Sequence, residues 1–404
     1  MIIGIIGAGA SGMAAALAAS ENPDVQVLLL ERQARVGRKL SATGNGRCNL
    51  TNLHALECGY HGDDDSFSRY ALEQFTPDMT LDYFGELGLY TVAEASGRVY
   101  PYSDQANSVV DILRFALDRP NIRLVTDYEV AKIKREADGF TLSGGGESLF
   151  CDKLIVACGG LAGTKLGGTM SGYKLLRAMG HKCTKLRPTL VQLKSDWSSV
   201  ASLKGVRANC RARILWNGRV MRESVGEIQF TDYGLSGPVI FEISRDACTE
   251  KGVWECELDF LPDWSGEMLL QRLEKRRGGN LSCEDLLTGI LHNRLGRVLT
   301  QAVGIRNRMP VSELSGDQLE EICSAVKAFR VSVTEPMGMD SAQVTAGGIV
   351  TDEFDPRTME SRLVPGLYAC GEVLDVDGDC GGYNLQWAWS SGRLAGCSAG
   401  KDSV

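Results

Sequence analysis

The sequence predicts an α/β chain, a Rossmann-like parallel sheet interrupted by a β-rich and helical insert. Three observations predict it. An apolar run, Ile2–Ile6, leads into the turn Gly7-Ala8-Gly9-Ala10-Ser11-Gly12 and then an Ala-rich stretch, Met13–Ala19. A second apolar run, Val25–Leu30, ends in Glu31, 19 residues beyond Gly12. Glycine-rich text of the same kind returns after Val344, where Gly366–Gly371 again reads as an apolar strand ending in glycine.

Each part of the first turn has a physical job. Gly7 permits the tight turn, Gly9 lets the backbone approach a pyrophosphate, and Gly12 lets the helix pack against the strand. The helix N-terminus offers unpaired N–H groups and a positive dipole end to phosphates. Glu31 is placed to accept hydrogen bonds from ribose hydroxyls. The strand, turn, helix, strand and acid together point to a bound dinucleotide.

Further along, the polar, glycine-punctuated stretch 37–52 reads as a loop. Phe67–Leu87 has helical spacing, and Ser108–Leu117 is a helix ending before Pro120. Ile122–Val125 and Val130–Arg135 read as strands, followed by a hairpin through Gly144-Gly145-Gly146. Lys153–Ala157 is an apolar strand ending in Cys158-Gly159-Gly160, and Tyr173–Met179 a short helix.

From about Pro188 the character changes. Leu190–Leu193, Ala212–Trp216, Ile228–Phe230, Val239–Ile243 and Trp254–Leu258 are β-like segments of an antiparallel sheet or small barrel. Gly266–Arg277, Cys283–Val303 and Gly316–Val326 have helical length and pattern. The predicted division is 1–187 plus 336–404 for the nucleotide domain and 188–335 for the insert. Within the insert, 188–264 and about 328–335 are β-rich and 265–327 helical.

Composition narrows the function. The chain has 404 residues, enough for two or more domains of about 150 each. Hydrophobic residues make up 44% and charged residues 23%, as in ordinary globular proteins. A net charge of −8 weighs against a general nucleic-acid or membrane-surface binder. No apolar run approaches the ~20 residues of a membrane span, and no basic leader precedes the first strand. The 13 cysteines contain no C-x-x-C pair, which argues against a zinc centre, a dithiol or a disulfide framework, and for a cytoplasmic setting.

Four glycine-punctuated segments, Gly7–Gly12, Gly44–Asn49, Ala157–Gly160 and Gly371–Gln386, suit one long ligand better than NAD alone. FAD is that ligand. Glu372 ends a strand beside ribityl hydroxyls. Gly381-Gly382 precedes a helix, Asn384–Ala395, whose positive end faces the flavin N1–C2=O edge. No second dinucleotide fingerprint is present, so NAD(P)H is expected only as a transient electron donor.

Together with Gly44-Asn45-Gly46-Arg47-Cys48-Asn49, Phe230-Thr231, Gly234–Pro238, Thr345–Gly348 and Gly381-Gly382-Tyr383-Asn384-Leu385-Gln386, these segments resemble the BaiN/YhiN-type NAD(P)/FAD-dependent oxidoreductases. The resemblance implies a two-dinucleotide-binding-domain FAD fold with a β-barrel-like and helical insert. It implies that Gly7, Ala8, Gly9, Ala10, Ser11 and Gly12 bind pyrophosphate, and that Glu31 and Arg32 lie at the adenosine. Arg38, Lys39 and Gly44–Asn49 run along FAD, Val130 meets adenine through its backbone, and Ala157 and Gly159 line the crevice. Gly371, Glu372, Asp379 and Gly381–Gln386 hold the ribityl chain and flavin. One departure is visible: the family's Phe-Thr-His-x-Gly motif has Asp232 in place of His.

The catalytic acid stays open among Asp232, Tyr383 and Cys48. Cys48 reads as a packing or flavin-contact residue, or as a thiol activated beside Arg47. The four histidines, His54, His61, His181 and His292, read as surface or satisfied core. The implied activity is hydride transfer through flavin N5, with NAD(P)H-driven reduction of an activated C=C bond in a small molecule. The alternatives are a tRNA-modifying flavoprotein, with Arg272, Lys275, Arg276 and Arg277 as its footprint or as a solvated helix face, and a non-catalytic flavin-binding redox or assembly protein. No metal is expected.

Overall fold

The computed structural model describes residues 1–401 apart from Ser199 and Asn307. It divides into two compact units, Met1–Arg187 with Gln343–Val404, and Pro188–Ala342.

The first unit is built on five parallel strands in the order Leu367–Ala369, Lys153–Val156, Ile2–Ile6, Gln26–Leu30, Ile122–Val125. Ile3, Ile5, Leu29, Leu154, Ile155 and Leu367 have no solvent exposure, because the helices Ala10–Ala19 and Tyr383–Ala399 and the strand Leu149–Cys151 pack against the sheet. The chain leaves Ile2–Ile6 toward one edge and returns through Lys153–Val156 on the other side. That reversal is the switch point, and the crevice beyond the carboxyl ends of these strands is where such sheets bind ligands.

Two helices define the crevice floor, Ala10–Ala19 and Tyr383–Ala399. They run side by side in the same direction. A Cβ on Gly392 would lie 2.3 Å from the Ser11 carbonyl oxygen, and one on Gly396 would lie 2.2 Å from that of Ala15. Glycine on one helix and Ala14, Ala15 on the other therefore allow backbone-to-backbone packing.

The helical spacing over 67–87 resolves into two helices, Phe67–Gln74 and Pro77–Glu86. Pro77 cannot continue the first one, and Thr76 caps the second through the Met79 N–H at 3.2 Å. The stretch read as a loop over 37–52 contains a helical turn, Leu40–Gly46, broken where Gly44 and Asn45 take φ of 57° and 56°.

The second unit carries a seven-stranded antiparallel sheet. Its order is Phe329–Val333, Trp254–Asp259, Arg207–Trp216, Arg219–Phe230, Gly234–Ser236, Leu193–Lys194, Glu335–Pro336. The two edge strands are separated in sequence by Thr334 alone, so the sheet curls until its edges meet, like a barrel. Val239–Ile243, read as a strand, is instead the helix Pro238–Ser244, started by Pro238 after Gly237 and burying Val239, Ile240 and Ile243. Of the expected strand Leu190–Leu193 only Leu193 lies in a strand, Leu193–Lys194. The helix expected over 283–303 is reduced to Asn293–Ala302 after a turn at Cys283–Asp285. The return to the first unit comes at 343 rather than 336, because Glu335–Pro336 still pairs with Leu193–Lys194.

None of the thirteen cysteines takes part in a disulfide. Among the described residues no helix is long and apolar enough to cross a membrane, and no cluster of His, Cys, Asp and Glu suits a metal ion.

Candidate active site

Glycine is required at parts of the first turn by the protein itself. Gly7 has φ +104°, and a Cβ there would lie 2.5 Å from the Ala157 carbonyl oxygen. A Cβ on Gly12 would lie 1.8 Å from the Gly7 oxygen. Gly9 differs. Its φ of −82° suits any residue, and no protein atom lies within 4 Å of where its Cβ would be. Nothing in the chain demands glycine there, and the bare backbone is left open to a ligand.

The acid at the end of the second strand is locked to this turn. Glu31 Oε2 accepts the Ala8 N–H at 2.9 Å, and Oε1 accepts the Gln33 N–H at 2.9 Å. The lone pairs left over suit ribose hydroxyls. The Tyr128 N–H donates to the Glu31 carbonyl at 3.0 Å, which brings buried Val130 into the neighbourhood of the acid. Arg32 donates to the Gly167 carbonyl at 2.8 Å and Arg38 to Gln33 Oε1 at 2.9 Å. Gly159, with φ +69°, has open space at its Cβ position and follows buried Ala157.

Helix capping varies along the chain. The helices starting at Gly266 and Gly316 are capped by Ser265 and Ser315 side chains. The helices at Ala10 and Tyr383 are preceded by Gly9 and Gly382 and have no side-chain cap. The helices at Phe67, Ala106, Ser171 and Pro238 have no side-chain cap either, but they are not preceded by a glycine turn at the carboxyl end of a strand of the parallel sheet. Uncapped N-termini leave N–H groups and a positive dipole end for a ligand. Because Ser11 is level with Gly392, the Tyr383 helix starts eight residues, or about 12 Å, before the Ala10 helix along their shared direction. The offset suits a ligand with an anionic centre at one helix end and an electron-rich ring at the other, joined by a ribityl chain.

Between the two ends, Glu372 accepts Lys39 Nζ at 2.8 Å and the Thr345 N–H at 2.8 Å. Gly371, at the end of its strand, is held by the Ser391 hydroxyl at 3.0 Å. At the far end, Asn52 Nδ2 donates to the Gly381 carbonyl at 2.8 Å. Gly382 has φ +106°, and its Cβ would lie 2.4 Å from the Thr51 backbone, so this turn needs glycine for packing alone. Asn49 Oδ1 is buried, has no hydrogen-bond partner, and would lie 3.0 Å from that Cβ. A buried orphan acceptor beside an uncapped helix end fits the N–H edge of a flavin. The loop Gly44-Asn45-Gly46 is tied back here, with the Cys48 N–H donating to the Thr43 carbonyl at 3.0 Å.

Two sequence-expected flavin contacts have other employment. Asn384 staples its own turn, accepting the Gly378 N–H at 2.9 Å and donating to the Gly378 carbonyl at 2.7 Å. Gln386 is fully buried, its amide bonded to Thr51, to the Phe75 carbonyl and to Ser390. Their side chains hold the C-terminal helix in place, and half-buried Leu385 packs on the core.

The three candidate acids fare differently. Cys48 has no exposure, and burial pushes its thiol up to about 12, the reverse of activation. Arg47 turns away from it, over the Tyr100 ring at 4.0 Å and onto Asp104. Asp232 lies in the second unit, exposed, where the Lys204 ammonium at 2.6 Å holds its carboxyl below the usual range. An acid so stabilised in its ionised form is a poor proton donor near neutral pH. Tyr383 begins the C-terminal helix, packed edge-on against Tyr60 with ring centroids 5.8 Å apart.

A fourth group was missed. His61 Nε2 meets Asp379 Oδ1 at 2.7 Å, next to this same turn. The partners are 318 residues apart in sequence, so no local pattern announces them. The basic cluster in the insert is partly consumed: Arg276 binds the Leu286 and Thr288 carbonyls and Arg272 lies over the Trp264 ring. A cavity of about 580 Å³ beside Tyr83 and Arg393 lies at the other end of the C-terminal helix from Gly382.

Residues 1–398 match the family described as HI0933-like protein Rossmann domain. The chain belongs to this family. It is 43% identical, over 98% of both chains, to the 3-dehydro-bile acid delta(4,6)-reductase of Clostridium scindens. It is 33% identical, over 96% of this chain and 95% of the relative, to the ribosomal RNA dihydrouridine synthase of Escherichia coli. In fold it is similar to 3-ketosteroid delta1-dehydrogenase from Sterolibacterium denitrificans, with TM-score 0.50 and 12% identity over 98% of this chain and 99% of that one. This member of the HI0933-like family is a flavoprotein oxidoreductase with a Rossmann-like, FAD-binding fold.

Proposed function

We propose that the chain saturates a carbon–carbon double bond conjugated to a carbonyl, drawing electrons from NAD(P)H through FAD. The offset pair of uncapped helix ends carries the reading: the Ala10 helix would hold the pyrophosphate and the Tyr383 helix the flavin N1–C2=O edge. Glu31 would hold the adenosine ribose, and Glu372 with Lys39 would line the ribityl chain. When bound, the flavin supplies the hydride; the chain supplies position, a dry crevice and stabilisation of charge.

The names of both curated relatives fit one chemistry. A 3-oxo steroid with double bonds at positions 4 and 6 and a uracil with its 5,6 double bond are both conjugated carbonyl acceptors. In such an acceptor hydride adds to an alkene carbon conjugated with the carbonyl, and a proton on carbon completes the saturation. A small steroid-like enone is the favoured substrate, since that relative is 43% identical. Uridine in ribosomal RNA is the second reading, favoured by the 33% identical relative. The net charge of −8 and the internal use of Arg272 and Arg276 weigh against it.

The test is reoxidation of the anaerobically reduced protein by a 4,6-dien-3-one steroid and by uridine-containing ribosomal RNA, with the product identified by mass. Reoxidation by one of them with gain of two hydrogens is expected. Reduced protein that persists with both acceptors overturns the reading.

A further inference from the structure

We propose that His61, held by Asp379, gives the proton that completes this reduction; the assignment rests on the function proposed above. Hydride addition to a conjugated C=C leaves an enolate, which needs a proton at the carbon next to the carbonyl. A group that donates it must be near the reacting carbon, carry a proton at neutral pH and be oriented.

Three of the four histidines are spent elsewhere. His181 is enclosed, with Nδ1 on Glu353 at 2.9 Å and Nε2 on Ser361 at 3.0 Å. His292 Nδ1 accepts the Arg294 N–H as a helix cap. His54 sits in a half-exposed pair with Glu57, three residues on. His61 is different. Its Nε2 faces Asp379 Oδ1 at 2.7 Å, and its side chain keeps 21% exposure. Among the described residues, Nδ1 has no partner.

The backbone fixes this pair. Tyr60–His61 pairs antiparallel with Asp377–Gly378. The Asp379 N–H donates to the Gly59 carbonyl at 2.8 Å, and the Tyr60 hydroxyl to the Tyr383 carbonyl at 3.1 Å. Asp379 is two residues before Gly381, at the uncapped start of the Tyr383 helix. The dyad therefore stands beside the turn read as the flavin end. With Nε2–H committed to the carboxylate, Nδ1 is the nitrogen that loses and regains a proton. In the step, the Nδ1–H bond breaks, the enolate electron pair forms the new C–H bond, and the neutral ring is reprotonated by water.

The test uses dithionite-reduced holoprotein and whichever conjugated acceptor reoxidises it. His61→Gln should slow that reoxidation about 100-fold and leave reoxidation by ferricyanide, which needs no proton on carbon, within about twofold. Asp379→Asn, as a positioning change, should lower kcat with KM little altered. In the ¹⁵N-histidine-labelled apoprotein it should also abolish the hydrogen-bonded Nε2–H resonance of His61. Wild-type protein that turns over while His61→Gln keeps pace overturns the His61 assignment alone. Loss on Tyr383→Phe with His61→Gln silent overturns it in favour of the phenol. Wild-type protein that no conjugated acceptor reoxidises overturns the functional reading, and this one with it.

Discussion

The Ala8 N–H donates to Glu31 Oε2 at 2.9 Å, so the glycine turn after the first strand and the acid after the second form one rigid piece. Charge-assisted bonds of this kind contribute about 1.5–3 kcal/mol each. They also aim the remaining carboxylate lone pairs away from the turn.

Glu31→Ala removes both this bond and the one to the Gln33 N–H. FAD affinity should fall about 10- to 100-fold, and stability by about 1–3 kcal/mol. Titration of apoprotein with FAD, followed by flavin fluorescence, checks it. Unchanged affinity would place the adenosine ribose elsewhere.

His181 makes a pH prediction. Burial holds its imidazole below the ordinary range, against the pull of the Glu353 carboxylate, and the ring stacks on Phe354 at 4.6 Å. In the unfolded chain a histidine takes up its proton near pH 6.5. Below that pH the unfolded state binds more protons, so this stability is complete above about pH 6.5 and is lost as pH falls. Urea midpoints at about pH 7.5 and 5.0 should therefore differ more in the wild type than in His181→Gln. Equal differences would show that His181 does not titrate across unfolding.

Cys48 should be chemically silent. With its thiol pushed up to about 12 by burial, only about 1 in 10⁴ molecules is a thiolate at pH 8. Iodoacetamide should label exposed Cys58 in the native protein and spare Cys48. Cys48→Ala should keep its flavin, with turnover within about tenfold of wild type. Rapid labelling of native Cys48 would contradict the packing role.

The strand, glycine turn and helix, with Glu31 after the second strand, were legible because their logic is local. Gly7 to Gly12 and Glu31 lie within one βαβ unit, where strand, turn and helix fix distances. The parallel sheet followed from the same periodicity. Local reading failed where distant segments decide. Pro238 opens a helix in text that alternates like a strand, and Gln386 looks like a ligand contact until Thr51 and Phe75 are seen to saturate it. His61 and Asp379 meet only because two two-residue strands pair across most of the chain.

The central claim is that the turn at Gly9 and the helix start at Gly382 cradle one FAD. Flavin released from purified protein on heat denaturation tests it most directly. The account predicts FAD, at about one per chain, and a Gly9→Val protein that folds with a near wild-type melting temperature yet carries almost none, since its side chain meets no protein atom and intrudes where phosphate approaches. Release of FMN, a wild-type protein that cannot be loaded with FAD, or a Gly9→Val protein with full FAD content would contradict it.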